Sequence, residues 1–324
     1  MNGIKIRKIV ASCFALVMGL ATCINSRGQT KPIPQCSLAA VSQTVGNGTS
    51  VCDSSVVQQM AEKGQAFEQN QMGISSVLAM GPDYDANRAL AWFQKAAQQG
   101  YAPAQVNLAV MYVNGWGTAV NYGAALHWLQ AAADQHFARA YYNLGILYLD
   151  GQGVRPDNEE AFRWFRKGAE AGDSGAQANL GYFYDQGLGC ERNLEAAVRW
   201  YRKAAEAGNP FGENNLADLY LSGEGVRQDD AAAFSWFQKA AAQGQTGARI
   251  KLGYMYAQGR GTKKDPEVAY AWIAAATAAG DPRGKDLLHS LEKVLSAQQI
   301  VRASARAQEW TTPQMEFSAR SFLP

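Results

Sequence analysis

One interval, 36 residues, constrains this chain more than any other property. Trp92, Trp128, Trp164, Trp200, Trp236 and Trp272 stand 36 residues apart, and so do Leu108, Leu144, Leu180, Leu216 and Leu252. Tyr112, Tyr148, Tyr184, Tyr220 and Tyr256 keep the same step. A unit of this length cannot enclose a core by itself, so it buries its apolar face against the units before and after it. The chain therefore has to form an array that grows along an axis. The best-kept copy is 137–172, FARAYYNLGILYLDGQGVRPDNEEAFRWFRKGAEAG. Others occupy 101–136, 173–208, 209–244 and 245–280, and a worn first copy occupies 65–100, within a helical stretch, 56–280, that begins near Val56.

Each unit reads as two helices. In the first, Ala140, Leu144, Leu147 and Tyr148 recur at spacings of three and four and form one apolar stripe, with Gly145 leaving room for a close neighbour. A Gly-x-Gly turn follows, as at Gly151 and Gly153. Asp85, Asn121, Asp157, Asn193, Asp229 and Asp265 then stand where the second helix starts, each a residue type that accepts hydrogen bonds from first-turn amides. Pro266, directly after Asp265, suits the first helical position. The second helix ends at Gly100, Gly172, Gly208, Gly244 or Gly280, where glycine closes it in the left-handed region. His136 takes that place once, which predicts local strain or a different cap.

The ends follow other rules. Lys5, Arg7 and Lys8 precede an apolar run from Ile9 to about Ala21, the pattern of a secretory signal over 1–23. Leu20-Ala21-Thr22-Cys23 resembles a lipobox whose cysteine would carry a lipid anchor, with Thr22 at a place usually held by a smaller residue; ordinary cleavage nearby, releasing a soluble product, is the alternative. Residues 24–55 read as polar linker, within which Cys36 and Cys52 could close a short disulfide loop in an oxidising compartment. Cys190 is expected to be unpaired. Past the array, 281–310 carries two further helical patterns, with a capping box at Ser296 and Gln299, expected to cover its open end; 311–324 reads as tail.

At these residues the chain resembles the Sel1-like repeat family, a relative of the tetratricopeptide repeat. The resemblance rests on Ala-x-x-x-Leu-Gly-x-x-Tyr, Gly-x-Gly-Val, Asp, Ala-x-x-Trp and Ala-Ala-x-x-Gly, and covers about two thirds of the chain. It implies an all-α fold, a right-handed α/α superhelical solenoid, and an exported, non-enzymatic scaffold that binds an extended peptide or protein in a concave groove. One subgroup, the Helicobacter cysteine-rich proteins, implies instead a binder or weak hydrolase of β-lactams or peptidoglycan precursors. Its per-repeat disulfides have no counterpart among these repeats. A secreted factor acting on a host cell is a third reading.

Charge and chemistry narrow the classes. A formal charge of +2 gives no basic excess of the kind that attracts nucleic acid or anionic lipid. No CxxC pair is present, and the only histidines, His127, His136 and His289, lie far apart, so neither a metal site nor a nucleophilic triad is expected, nor any cofactor. The Gly-x-Gly turns follow helices rather than strands and read as backbone turns, not phosphate loops. Glu159 and Glu160 complement a helix dipole, and the tryptophans read as core. Asn107, Asn143, Asn179 and Asn215 each precede the repeat leucine, with Lys251 at that place in the last unit. By analogy with tetratricopeptide arrays this row faces the groove, where carboxamides offer donor and acceptor to a peptide backbone. Arg139, Tyr142, Tyr182, Asp185, Asp218 and Tyr254 are its variable neighbours. The turns, with Trp116, Arg155, Arg227 and Arg260, are a second candidate surface.

Overall fold

The computed structural model of the chain describes residues 22–24, 30–32, 54–78 and 85–311. From residue 54 onward the described chain is entirely helical. Two opening helices, α1 (Ser54–Glu62) and α2 (Ala66–Leu78), lead into helices that alternate in strict register. They are α3 (Ala86–Gln98), α4 (Ala102–Asn114), α5 (Tyr122–Ala133), α6 (Ala138–Asp150), α7 (Asn158–Glu170) and α8 (Ser174–Gln186). The series goes on with α9 (Leu194–Glu206), α10 (Pro210–Ser222), α11 (Asp230–Ala242), α12 (Thr246–Gln258) and α13 (Pro266–Ala278), and closes with α14 (Gly284–Glu292) and α15 (Ala297–Thr311). Ahead of them Thr22–Ile24 pairs antiparallel with Thr30–Pro32, across the boundary the sequence places between signal and linker. Residues 1–21, Cys36, Cys52 and the tail from 312 lie outside the described residues.

Local chemistry sets each boundary. Asp85, Asn121, Asp157, Asn193, Asp229 and Asp265 all accept a hydrogen bond from the amide three residues on, at 2.9–3.0 Å. Each such cap contributes about 1 kcal/mol. The amides of Asn121, Asp157, Asn193, Asp229 and Asp265 donate in turn to the carbonyls of Tyr112, Tyr148, Tyr184, Tyr220 and Tyr256, so one residue both closes the preceding turn and starts the next helix. His136 has φ 59°, the only non-glycine in the left-handed region among the described residues, as its place in a glycine series predicts. Its Nδ1 lies 3.1 Å from the Tyr141 hydroxyl.

The chain divides into two compact units, with the boundary inside α6, between Leu144 and Gly145. In the unit Val17–Leu144, Phe93 is fully buried with Ile74, Ala89, Leu108 and Met111, and Trp128 and Tyr112 pack against that cluster. In the unit Gly145–Ser318, Phe165, Tyr201 and Phe237 hold the equivalent place and are likewise fully buried. Room for them comes from the first helix: a Cβ at Gly145 would stand 2.6 Å from the Phe165 ring, and one at Gly181 2.6 Å from Tyr201. The second glycine of the turn does a different job. A Cβ at Gly225 would stand 2.7 Å from the main-chain oxygen of Leu194, so this glycine lets one repeat rest on the helix start of the repeat before.

The tryptophans are only half-buried, because the residue after each one points directly into the core. Their outer faces carry lysines one turn on: Lys95, Lys167, Lys203 and Lys239 place ammonium groups 3.8–4.4 Å from the rings of Trp92, Trp164, Trp200 and Trp236. Such contacts at exposed sites are worth about 0.5–1 kcal/mol. The last tryptophan is covered instead by α15, whose Trp310 stacks on Trp272 at 3.9 Å between centroids. Arg302 grips Glu267 with two bonds of 2.9 and 2.8 Å, and Arg249 Nη2 donates to the Trp310 carbonyl at 3.0 Å. Ser296 and Gln299 form the capping box that starts α15.

A second polar series braces the repeats. Gln69, Gln105, Gln177 and Arg249 each donate to the carbonyl eight residues back, of Ala61, Ala97, Ala169 and Ala241, at 3.1–3.4 Å. Gln69 and Gln105 also accept from Gln99 and Gln135, which follow at the end of the next helix. Tyr141 and Glu213 occupy this place in the other two repeats; Glu213 is 3 % exposed and accepts from Gln243 at 2.8 Å. An ionised carboxylate has no proton to give to a carbonyl. Burial pushes the Glu213 carboxyl up to about 7.

Candidate functional site

The asparagine row splits by exposure. Asn107 is wholly buried and donates to Asn70 Oδ1 at 2.9 Å. Asn143 and Asn179 are buried and donate to the carbonyls of Arg139 and Gly175, one turn back, each at 2.9 Å. These three carboxamides therefore brace their own helices and neighbours, which corrects the expectation that the whole row offers itself to a ligand. Arg139 and Tyr142 are buried as well, the guanidinium lying 5.1 Å from the ring centroid. Six of the expected residues keep solvent contact: Tyr182, Asp185, Asn215, Asp218, Lys251 and Tyr254. All six fall in the unit Gly145–Ser318, on the first helices of three successive repeats.

Asp185, Asp218 and Lys251 line an open cleft of about 490 Å³ together with Gln186, Arg192, Leu219, Leu221, Ser222, Glu224 and Arg260. Helices α8, α10 and α12 supply the walls because the 36-residue step puts their equivalent faces side by side. Lys251 Nζ contacts Asp218 Oδ1 at 2.5 Å, Arg192 lies 3.7 Å from Glu224, and Arg260 binds both oxygens of Asp230 at 3.0 and 2.7 Å. Arg260 also reaches the Leu221 carbonyl at 3.4 Å, so one arginine from the turn surface belongs to this cleft. Trp116, Arg155 and Arg227 do not line it; Arg227 borders a separate open pocket of about 440 Å³ with Tyr220 and Val226.

The electrostatics at the Asp185 end are distinctive. Burial raises the Asp185 carboxyl, and burial with the adjacent Asp185 charge raises the Tyr182 hydroxyl. The bonds from Arg260 instead hold the Asp230 carboxyl below its usual range. Beneath the cleft the Tyr201 hydroxyl, fully buried, completes no hydrogen bond of good geometry although Asp185 and Asn215 stand beside it. Burial raises it well above the ordinary tyrosine value, with the charge of Asp185 adding to the effect. The signal for Tyr201 was present in the sequence: Phe93, Leu129, Phe165, Phe237 and Ile273 hold the same place, and none carries a hydroxyl. Arg192 and Glu224 had no such signal.

Other candidate chemistry is dispersed. His127 packs edge-on to Trp128, His136 meets Tyr141, and His289 lies 3.6 Å from Glu292. Cys190 is unpaired, with Sγ 3.6 Å from the Phe183 carbonyl. Among the described residues no group of three or more His, Cys, Asp or Glu could hold a metal ion, and no helix is long and apolar enough to cross a membrane.

The repeat architecture has a recorded counterpart. The Sel1 repeat profile matches six consecutive segments, 69–101, 102–137, 138–173, 174–209, 210–245 and 247–281. The chain belongs to the Sel1 repeat family. A Sel1 repeat protein from Oxalobacter formigenes is 34% identical over 66% of this chain and 86% of its own, with a TM-score of 0.59. A second solved structure, c5321, a protective antigen of uropathogenic Escherichia coli with the same fold, is 32% identical over 80% of this chain, with a TM-score of 0.64. This Sel1 repeat chain spans 55% of that relative's length. Comparison with curated proteins returns no significant match. Sel1 repeat proteins generally mediate protein–protein interaction, and the scaffold is typically non-catalytic.

Proposed function

We propose that this protein is an exported interaction scaffold whose cleft on α8, α10 and α12 holds a polypeptide segment of a protein partner. The observation that carries the proposal is a contrast within one surface. Tyr182, Asp218 and Tyr254 share one repeat position, and Asp185, Leu221 and Ala257 share another one turn on, while Leu180, Leu216 and Leu252, two residues before the first, do not change. Varied, solvent-reaching side chains on a constant frame are how repeat arrays acquire a specific partner. Export is part of the proposal, supported by the basic and apolar start of the chain and by its likeness to a protein described as a protective antigen.

A photocrosslinker tests it. With p-benzoylphenylalanine replacing the exposed Tyr254, one turn after the cleft residue Lys251 on α12, and separately replacing the exposed Arg199 on α9, irradiation in cells should give a discrete protein adduct from position 254 alone. Equal adducts from both positions, or adducts only from 199, would remove the cleft as the binding surface.

A further inference from the structure

We propose that the Asp185 end of the cleft is a subsite for a cationic side chain, best an arginine, of the bound polypeptide; this rests on the binding-scaffold reading above. The argument starts with charge pairing inside the cleft. Asp218 is paired with Lys251, Glu224 with Arg192, and Asp230 with Arg260. Asp185 has no ion pair within 4.0 Å among the described residues. Arg192, the cation nearest to it, donates its Nε to the Asp185 main-chain carbonyl at 2.8 Å and turns its Nη2 to Glu224. A half-buried carboxylate without a counter-ion is penalised by lost hydration, and an incoming cation relieves that penalty where water cannot.

The floor supplies the independent observation. Tyr201 is fully buried, yet its hydroxyl completes no hydrogen bond of good geometry. Buried hydroxyls are normally satisfied, because leaving one unmade costs about 1–3 kcal/mol. This one stands against Asp185 and Asn215. Donating to Asp185, it can hold that carboxylate towards the cleft, and the Asn215 carboxamide oxygen, which already accepts from Asn214 Nδ2 at 3.0 Å, keeps a second lone pair. Tyr182, one turn before Asp185 on α8, packs against the Tyr201 cluster and keeps part of its ring in solvent. A carboxylate, a neutral acceptor and a neighbouring ring together suit a planar guanidinium, which spreads several donors and stacks on aromatic faces. At the equivalent places the neighbouring repeats have Leu221 and Ala257 for Asp185, and Phe165 and Phe237 for Tyr201. No other repeat carries both groups.

The test uses the ¹⁵N-labelled full chain and the probe N-acetyl-arginine N-methylamide, with the citrulline analogue as its uncharged isostere. Arginine should shift the amides of Asp185, Gln186 and Asn215 saturably, with citrulline weaker by about tenfold, the scale of one charge-assisted contact. Asp185→Asn should abolish the arginine preference. Tyr201→Phe, which restores the residue found at positions 93, 165 and 237, should keep the fold and the thermal midpoint but reduce the arginine-to-citrulline ratio several-fold. Equal response to arginine and citrulline, shifts centred elsewhere, or an unchanged ratio in either variant would overturn the proposal. Crosslinking from position 254 that survives such a result would leave the scaffold reading standing and remove only the cationic subsite.

Discussion

Replacing Glu213 by glutamine should stabilise this protein, and more so as pH rises. At four of the five equivalent places, Gln69, Gln105, Gln177 and Arg249 donate to the carbonyl eight residues back, Tyr141 holding the fifth; for Glu213 that carbonyl belongs to Ala205. Glutamine supplies the missing donor and keeps an acceptor for Gln243. The pH dependence follows from a carboxyl raised from 4.5 to about 7 in the folded state. A raised carboxyl pKa means the folded chain holds the proton more tightly than the unfolded chain. Glu213 therefore costs nothing below about pH 4.5, becomes progressively destabilising as pH rises towards 7, and costs a constant amount above it. At about 1.4 kcal/mol per unit, the full cost is about 3 kcal/mol. Urea unfolding followed by circular dichroism at about pH 5 and about pH 8 measures it, with exchange of the Ala205 and Gln243 amides locating the effect. The variant should match the parent or slightly exceed it at the lower pH and gain about 2–3 kcal/mol at the higher. A gap that is absent at the higher pH, or that shrinks as pH rises, would refute the reasoning.

Three further outcomes are expected. His136→Gly relieves a left-handed non-glycine residue at the cost of one exposed contact to Tyr141, and should raise stability by about 1 kcal/mol, read as a higher thermal midpoint. Asn107→Ala leaves the Asn70 carboxamide oxygen without its buried donor and should cost about 1–3 kcal/mol in urea unfolding, whereas Asn215→Ala, at the same repeat position but half-exposed, should cost less than about 1 kcal/mol. Trp310→Ala removes the stack on Trp272 and should loosen α15, seen as faster amide exchange over 297–311 and a loss of about 2–4 kcal/mol; no change in exchange there would deny the helix its covering role.

What the sequence determined by itself is everything written once per repeat. Six helix starts, the closing glycines, the apolar stripe and the single exception at His136 could be read directly, because capping, left-handed closure and helical spacing are local rules that a 36-residue period states again and again. The same regularity hid the rest. Asn107 and Asn215 look alike in the alignment of repeats, but the first is wholly buried against Asn70 and the second keeps solvent contact, since exposure depends on which side chains the adjoining repeats contribute. Glu213 reads as one more polar residue on a first turn until the packed helices place it where its counterparts donate to a carbonyl. Arg192, Tyr201 and Glu224, which follow Asp185 by 7, 16 and 39 residues, become a site with it only after α8, α9 and α10 pack together. Framework is set by short-range chemistry and repeats; the cleft is set by what differs between repeats, and differences acquire meaning only through the contacts that tertiary packing makes.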